Sequence, residues 1–135
     1  MLDEFINEFN AGVKVAPEQY SPLVLAYIGD CVYELFVRTY IISGANLPVK
    51  QLHRQACRMV KAHAQAELYR RISDKLSEEE DAVYRRGRNA NSHPPKNADV
   101  CEYKSATGVE ALVGYLYLKG RHGRITELLK NLIEE

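Results

Sequence analysis

The feature that most constrains this chain is an apolar run from Leu23 to Ile42, LVLAYIGDCVYELFVRTYII, which holds three charged residues at steps of four. On a helix, Asp30, Glu34 and Arg38 would share one stripe, while apolar side chains cover most of the remaining surface. A carboxylate deep in such a helix is costly unless an ionic partner or a metal compensates it. The run therefore predicts a core helix in which Asp30 has either a structural partner or a role in chemistry.

Helix start and stop signals divide the chain into helices, and no segment alternates in the way that a strand requires. Ser21 before Pro22 is an N-cap followed by proline at the first helical position. Ser77 and Asp99 each precede a glutamate by three residues, which is the spacing of a capping box. Gly120 is typical of a helix C-terminus. The predicted helices cover about residues 22–43, 49–72, 78–86, 99–119 and 124–135.

The chain has 135 residues and a formal net charge of zero, which fits one all-α domain over residues 1–135. Zero net charge argues against unspecific coating of nucleic acid but allows a locally basic face. Cys31, Cys57 and Cys101 include no Cys-x-x-Cys pair, so we expect reduced, mostly buried thiols in a cytoplasmic protein. The acidic N-terminus is unlike a signal peptide. The charges in the long apolar run argue against a membrane span.

A second acidic residue in an apolar segment is Glu110, in TGVEALVGYLYL. Two carboxylates on separate core helices suit a divalent cation, because Mg²⁺ takes one or two protein carboxylates and fills its shell with water and phosphate oxygens. Gly29 directly precedes Asp30, and Gly114 lies one turn beyond Glu110. Glycine inside a helix costs about 1 kcal/mol relative to alanine. Both glycines therefore indicate close approach of another backbone or of a substrate.

A purely structural role for these acids is the alternative. A buried Asp or Glu often caps a neighbouring helix or pairs with an arginine, and Arg38 is the candidate partner for Asp30. Glu34, on the same stripe, is expected to be a structural or interface partner. The residues alone leave both interpretations open.

Two segments together resemble the ribonuclease III family. YIGDCVYELF (27–36) resembles its signature helix, in which Gly-Asp stands between apolar stretches, and VEALVGYLYL (109–118) resembles its second catalytic segment, Glu-Ala-Leu-x-Gly. Their order and separation match that family over about residues 20–120. No segment is similar to the double-stranded-RNA-binding domain of the larger enzymes. With RGRNA at residues 86–90, the chain is most similar to the stand-alone Mini-ribonuclease III branch.

The resemblance implies a single compact helical endonuclease domain that cuts double-stranded RNA with Mg²⁺, for which Mn²⁺ can substitute. It implies maturation of precursor ribosomal RNA, with 23S rRNA as the usual substrate of the branch. By position, Asp30 and Glu110 become the catalytic residues and the metal ligands. The family also implies a homodimer whose signature helices pack at the two-fold axis, with Tyr27, Cys31 and Glu34 in the interface.

The chain departs from the larger enzymes at three positions. Leu23 and Ala26 stand where their signature helix has two further glutamates, and Thr107 stands where they have an aspartate before the second-segment glutamate. The implied site is thus reduced to Asp30 and Glu110, with Thr107 as a candidate for binding a water ligand of the metal. These losses support a second hypothesis, a catalytically inactive RNA-binding or ribosome-associated scaffold.

Without an auxiliary domain, the catalytic body must itself hold an RNA duplex, through phosphates and 2′-hydroxyl groups. Basic and amide side chains flank the second carboxylate helix, and Gly87 with the loop after it is expected to let backbone N–H groups approach phosphates. A solvated helix end is the alternative explanation of this charge run. The predicted RNA-binding residues are Arg85, Arg86, Arg88, Asn89, Lys96 and Lys104.

Overall fold

The structure, a computed structural model, describes Glu4, Glu8, Phe9 and residues 15–133, and this part of the chain contains helices and no strand. The predicted all-α fold class is confirmed. Three short 3-10 segments accompany the α-helices, at Pro17–Gln19, Ser73–Lys75 and Lys130–Leu132. The α-helices are α1 (Pro22–Gly44), α2 (Val49–Val60), α3 (Ala62–Ile72), α4 (Glu78–Arg88), α5 (Val100–Leu118) and α6 (His122–Leu129).

The centre of the fold is the crossing of α1 and α5. A Cβ atom on Gly29 would lie 1.7 Å from the carbonyl oxygen of Glu110, and one on Gly114 would lie 2.0 Å from the carbonyl oxygen of Leu25. Only glycine allows the two backbones to approach this closely. The prediction that these glycines mark a close backbone approach is confirmed, and the same contact brings the Gly-Asp segment of α1 beside Glu110.

The segment predicted as one helix over 49–72 is two helices, because the chain is extended at Lys61, with φ −65° and ψ 157°. The break leaves carbonyl groups at the end of α2 without partners inside the helix. The Tyr33 hydroxyl donates to the carbonyl oxygen of Met59 (2.7 Å), and the Gln65 amide donates to that of Val60 (2.9 Å). These tertiary hydrogen bonds stabilise a break that neither glycine nor proline signals.

The helix predicted over 124–135 is instead α6, which ends at Leu129 before the 3-10 segment, and residues 134–135 lie outside the described part of the chain. The ends of α4 and α5 follow the predicted signals more closely. Ser77 and Glu80 form a reciprocal capping box at the start of α4. At α5 only half of the predicted box forms: Asp99 accepts from the backbone N–H of Glu102 (3.0 Å), but the Glu102 carboxylate binds His63 instead. After α5, Gly120 has a positive φ of 75° and the chain turns sharply, as a glycine at a helix end permits.

The core lies around α5, which is buried from Ala106 to Leu116 except for half-buried Glu110. The expectation of mostly buried thiols is wrong, since Cys31, Cys57 and Cys101 are all exposed. Within the residues that the structure describes, no helix combines the length and the apolar character needed to cross a bilayer.

Candidate active site

Asp30 and Glu110 face one open cleft of about 660 Å³ between α1 and α5. Asp30 is exposed and Glu110 is half-buried. The expectation that Asp30 lies deep in a core helix is therefore wrong, because its stripe of α1 lines the cleft instead of packing inside. The loop after α4 closes part of the cleft through Ser92, and α5 adds Tyr103 and Thr107.

The two carboxyl groups lie within hydrogen-bonding reach of each other. Burial of Glu110, followed by its hydrogen bond with Asp30 and by repulsion from the Asp30 charge, raises the pKa of Glu110 to about 8. Gln65 acts in the opposite direction by donating to the carboxylate, and Glu34 adds further negative potential. A carboxyl group in such surroundings is a candidate for function, because structural carboxylates usually face cations.

No lysine, arginine or histidine of the described residues forms an ion pair with either carboxylate. Arg38, the alternative partner predicted for Asp30, instead pairs with Glu34 across one helical turn, at 3.2 Å. Glu34 thus has an ion-pair partner on its own helix. The Asp30–Glu110 pair is held together by the backbone contact at Gly29, without an internal countercharge.

The residues around this pair fit a hydrated divalent cation. Only two buried side-chain polar atoms of the described chain lack a hydrogen-bond partner, Oε1 of Gln65 and Oγ of Ser92. Gln65 contacts Glu110, and Ser92 lines the same cleft. The described residues contain no group of three or more His, Cys, Asp or Glu side chains that could hold a metal. Two oxygen ligands, with polar atoms able to bind water nearby, suit Mg²⁺ better than Zn²⁺.

Thr107 is buried one turn before Glu110, and its hydroxyl donates to the carbonyl oxygen of Tyr103 at 3.1 Å. The lone pairs of that hydroxyl can still accept a hydrogen bond. Leu23 and Ala26, at the positions of the missing glutamates, also line the cleft. Its wall is therefore apolar at these two positions, and Asp30, Glu34 and Glu110 are its only acidic lining residues among those described.

The predicted RNA-binding residues lie at the end of α4 and in the elements that follow it. Arg85 pairs with Asp81 (2.7 Å), and Arg86 is exposed. The Arg88 guanidinium lies 5.7 Å from the centre of the Tyr84 ring and donates to Asn89 (3.3 Å). Lys96 is exposed in the loop, and Lys104 is half-buried in the first part of α5.

Gly87 does not have its predicted role at the phosphate-binding loop. It lies in the last turn of α4, buried against α5, where a Cβ atom would come within 2.9 Å of the Cα atom of Gly108. Gly87 thus allows α4 to pack closely on α5. This contact places the basic C-terminal end of α4 beside α5, the helix that contains Glu110.

The residues predicted at the dimer interface share the outer stripe of α1. Tyr27 is 83% exposed, Cys31 is exposed and Glu34 is half-buried. Large apolar side chains continue along the exposed surface of this helix. They are Leu23, Val24, Leu35, Tyr40 and Ile42.

Sequence reasoning missed Gln65 and Ser92. For Gln65 a signal existed: it precedes Leu68 and Ile72 at steps of three and seven, so it shares the buried stripe of α3. A polar residue on that stripe calls for a partner. Ser92 gave no such signal, because serine is common in loops.

Comparison with known proteins places this geometry in a family. The Ribonuclease III domain family matches residues 23–121. A Mini-ribonuclease 3 of Thermoanaerobacter sp. (strain X514) is 54% identical over 115 residues, which is 84% of this chain and 78% of that protein. A Mini-ribonuclease 3 of Clostridium tetani is 49% identical over 123 residues, covering 87% and 82%.

A solved structure shares the fold as well. The crystal structure of a protein from Fusobacterium nucleatum matches with a TM-score of 0.79 at 31% identity, covering 85% of this chain and 93% of that one. The family match spans both carboxylate segments and the cleft between them. The chain belongs to the ribonuclease III family, and it is an endoribonuclease.

Proposed function

We propose that this endoribonuclease cuts double-stranded RNA in a Mg²⁺-dependent reaction, with Asp30 and Glu110 as the metal ligands and catalytic residues. The observation that carries the proposal is the facing pair of carboxylates in an open cleft, with no internal cation to neutralise them. A bound divalent cation would supply that countercharge, neutralise charge on a phosphate and lower the pKa of a water molecule. Mn²⁺ takes the same oxygen ligands and is expected to substitute.

The protein's own residues then have distinct tasks in this proposal. Asp30 and Glu110 hold the cation from two helices whose spacing is set by the Gly29 contact. Thr107 offers a hydroxyl acceptor for a water ligand at the wall of the cleft. Two protein carboxylates would leave positions of Mg²⁺ open to water and to an oxygen of the phosphodiester.

Six residues are proposed to hold the duplex by its phosphates and 2′-hydroxyl groups. The support is their position: α4 packs on the helix of Glu110, and the loop after α4 reaches the cleft at Ser92. Recognition of this kind depends on the shape of A-form RNA more than on its sequence. The residues are Arg85, Arg86, Arg88, Asn89, Lys96 and Lys104.

We further propose a homodimer that packs through the outer stripe of α1, including Tyr27, Cys31 and Glu34. The exposure of Tyr27, Leu23 and Val24 on this helix supports it, because exposed large apolar side chains favour burial against a partner. A two-fold pair would present one cleft to each strand of a duplex. The proposed substrate is precursor ribosomal RNA in the cytoplasm, with the ends of 23S rRNA as the cutting sites, which is what the resemblance of the two carboxylate segments to the Mini-ribonuclease III branch implies.

The test is cleavage of a labelled RNA duplex containing the base-paired ends of precursor 23S rRNA, with Mg²⁺ varied. Asp30→Asn and Glu110→Gln should each reduce cleavage at least about a thousandfold, since a metal contributes several kcal/mol to such a transition state. Duplex binding and the dimer should persist. Asp74→Asn, at an exposed acid in the 3-10 segment between α3 and α4, is the matched control.

Cleavage by purified Asp30→Asn protein at the wild-type rate would defeat the assignment. A wild-type protein that binds the duplex without producing fragments at any Mg²⁺ concentration would favour the scaffold. The observation behind that second candidate is the apolar cleft wall at Leu23 and Ala26.

A further inference from the structure

Gln65 is a buried polar residue with an unusual set of partners. It is 3% exposed, and its Nε2 atom donates to the Val60 carbonyl oxygen (2.9 Å) and to Oε2 of Glu110 (3.4 Å). A backbone carbonyl oxygen can only accept, so the side chain must present its NH₂ group to Val60. Both amide hydrogens therefore have acceptors, and one of these acceptors is a carboxylate of the candidate active site.

The contact with Val60 exists because the helical segment is broken at Lys61. A continuous helix would have used the Val60 carbonyl for its own hydrogen bond. Instead this rigid backbone atom anchors the Gln65 amide, and α3 restarts with a buried stripe facing α5. The break thus lets α3 supply a hydrogen-bond donor to Glu110. The site is therefore built from three helices: α1, α5 and α3.

The other end of the amide is unsatisfied. Oε1 of Gln65 is buried and has no hydrogen-bond partner in the described chain. Buried acceptors are normally paired, so an orphaned one beside a functional carboxylate indicates a missing donor. Water held at the site is a donor of the right kind.

We propose that Gln65 is a positioning residue: its amide, anchored on the Val60 carbonyl, orients the Glu110 carboxylate for a divalent cation, and its free Oε1 accepts from water at the site. The inference rests on the proposed function, because it assumes that Glu110 is a ligand. Residues that hold metal ligands in place typically contribute 10–100-fold to metal affinity or activity, at the order-of-magnitude level.

The test compares two variants that disturb the same helix break. Gln65→Met removes the hydrogen bonds to Val60 and Glu110. Tyr33→Phe removes only the hydrogen bond to the carbonyl oxygen of Met59, the residue before Val60. Mn²⁺ binding to the RNA-free protein is measured by electron paramagnetic resonance, and kcat and KM are measured on the duplex with Mg²⁺ varied. Thermal unfolding of both variants reports the structural loss.

Gln65→Met should weaken Mn²⁺ binding about 10–100-fold and raise the half-saturating Mg²⁺ concentration, with kcat lowered and the KM for RNA unchanged. Tyr33→Phe should lower stability while leaving Mn²⁺ binding as in the wild type. Equal Mn²⁺ affinities for the two variants would overturn the inference, as Gln65 would then be a structural residue only.

A wild-type measurement covers the case in which Gln65→Met does not fold. The side-chain amide resonance of Gln65 in ¹⁵N-labelled protein should shift on addition of Mg²⁺, and an unchanged resonance at Mg²⁺ concentrations that saturate cleavage would also overturn the proposal. Failure of the proposed function is distinguishable, because it requires that the wild-type enzyme itself does not cut the duplex.

Discussion

Glutamates in two regions of the molecule have opposite electrostatic surroundings. In the first turn of α4, Glu80 accepts from Arg124 through both carboxylate oxygens, each at 2.9 Å. Its neighbour Glu79 accepts from Tyr115 and from Arg121. In the cleft, Glu110 instead faces the Asp30 carboxylate and has one neutral donor, Gln65.

The pKa values follow this difference. The hydrogen bond from Arg124 holds the pKa of Glu80 below its usual value, and the Tyr115 hydroxyl, followed by Arg121, does the same for Glu79. The pKa of Glu110 is raised to about 8, by burial first and by Asp30 second. Glu79 and Glu80 are thus neutralised by arginines of the same chain, whereas Asp30 and Glu110 have no such partner among the described residues and require a cation from outside.

The close approach of α1 and α5 holds the two carboxylates together although they repel each other. Disrupting this helix contact should therefore have the largest effect on stability. In Gly29→Ala, the new methyl group would meet the Glu110 carbonyl oxygen at 1.7 Å, and the helices would have to separate. We expect a loss of more than about 3 kcal/mol in the free energy of unfolding, measured by urea denaturation.

Gly44→Ala is the control for this substitution. No atom lies within 4 Å of a Cβ built on Gly44, at the end of the same helix. Alanine there should leave stability unchanged or raise it by up to about 1 kcal/mol. Equal stabilities for the two variants would show that the crossing is looser than the structure indicates.

The pH dependence of stability should have opposite signs in the two regions. Between pH 4.5 and about 8 the folded protein binds a proton at Glu110 that the unfolded chain releases, so the free energy of unfolding falls as pH rises through this window. Glu110→Gln should remove this fall in the metal-free protein. Thermal unfolding in EDTA at pH 5 and pH 8 measures it, and parallel curves for wild type and variant would contradict the raised pKa.

Glu80 provides the opposite case. Glu80→Gln retains the capping-box geometry but leaves the half-buried Arg124 with weaker partners, and we expect a loss of about 2 kcal/mol at pH 7. Since the pKa of Glu80 is lowered in the folded state, the loss should be complete above pH 4.5 and shrink as pH falls below it. Glu127→Gln is the control, because Glu127 is a 69% exposed partner of the same arginine. If Glu127→Gln lowered the free energy of unfolding as much as Glu80→Gln does, the buried Glu80–Arg124 pair would not be the source of the stability.

The helices and the carboxylate pair could be predicted because their causes are local in sequence. Ser77 and Glu80 cap α4 with side chains three residues apart, and Gly29 and Gly114 stand beside the two acids that their contact brings together. The break at Lys61 could not be predicted from the sequence. One of the donors that stabilise it, Tyr33, lies on another helix, and the other, Gln65, can reach its acceptor only once the break exists.

Which residues are buried could not be predicted reliably either, and α1 shows the physical reason. A helix with apolar residues on most of its surface is expected to be largely surrounded by its own fold, yet Tyr27 on its outer stripe is 83% exposed and Asp30 opens onto the cleft. An apolar pattern shows that a surface favours burial without showing whether the covering surface comes from the same chain. The same ambiguity misplaced Cys31, which shares that stripe.

The smallest expected effect extends the comparison to the cations of α4. Arg85 is paired with Asp81, whereas exposed Arg86 has no ion-pair partner among the described residues. If cations without an internal partner bind RNA phosphates, Arg86→Gln should weaken duplex binding. The slope of the logarithm of the binding constant against the logarithm of the salt concentration should fall by about one in magnitude, as expected for one lost phosphate contact. Arg85→Gln should change the slope less, because Asp81 already offsets that charge. Fluorescence anisotropy over a salt series measures both, and a larger change for Arg85 would reverse the rule.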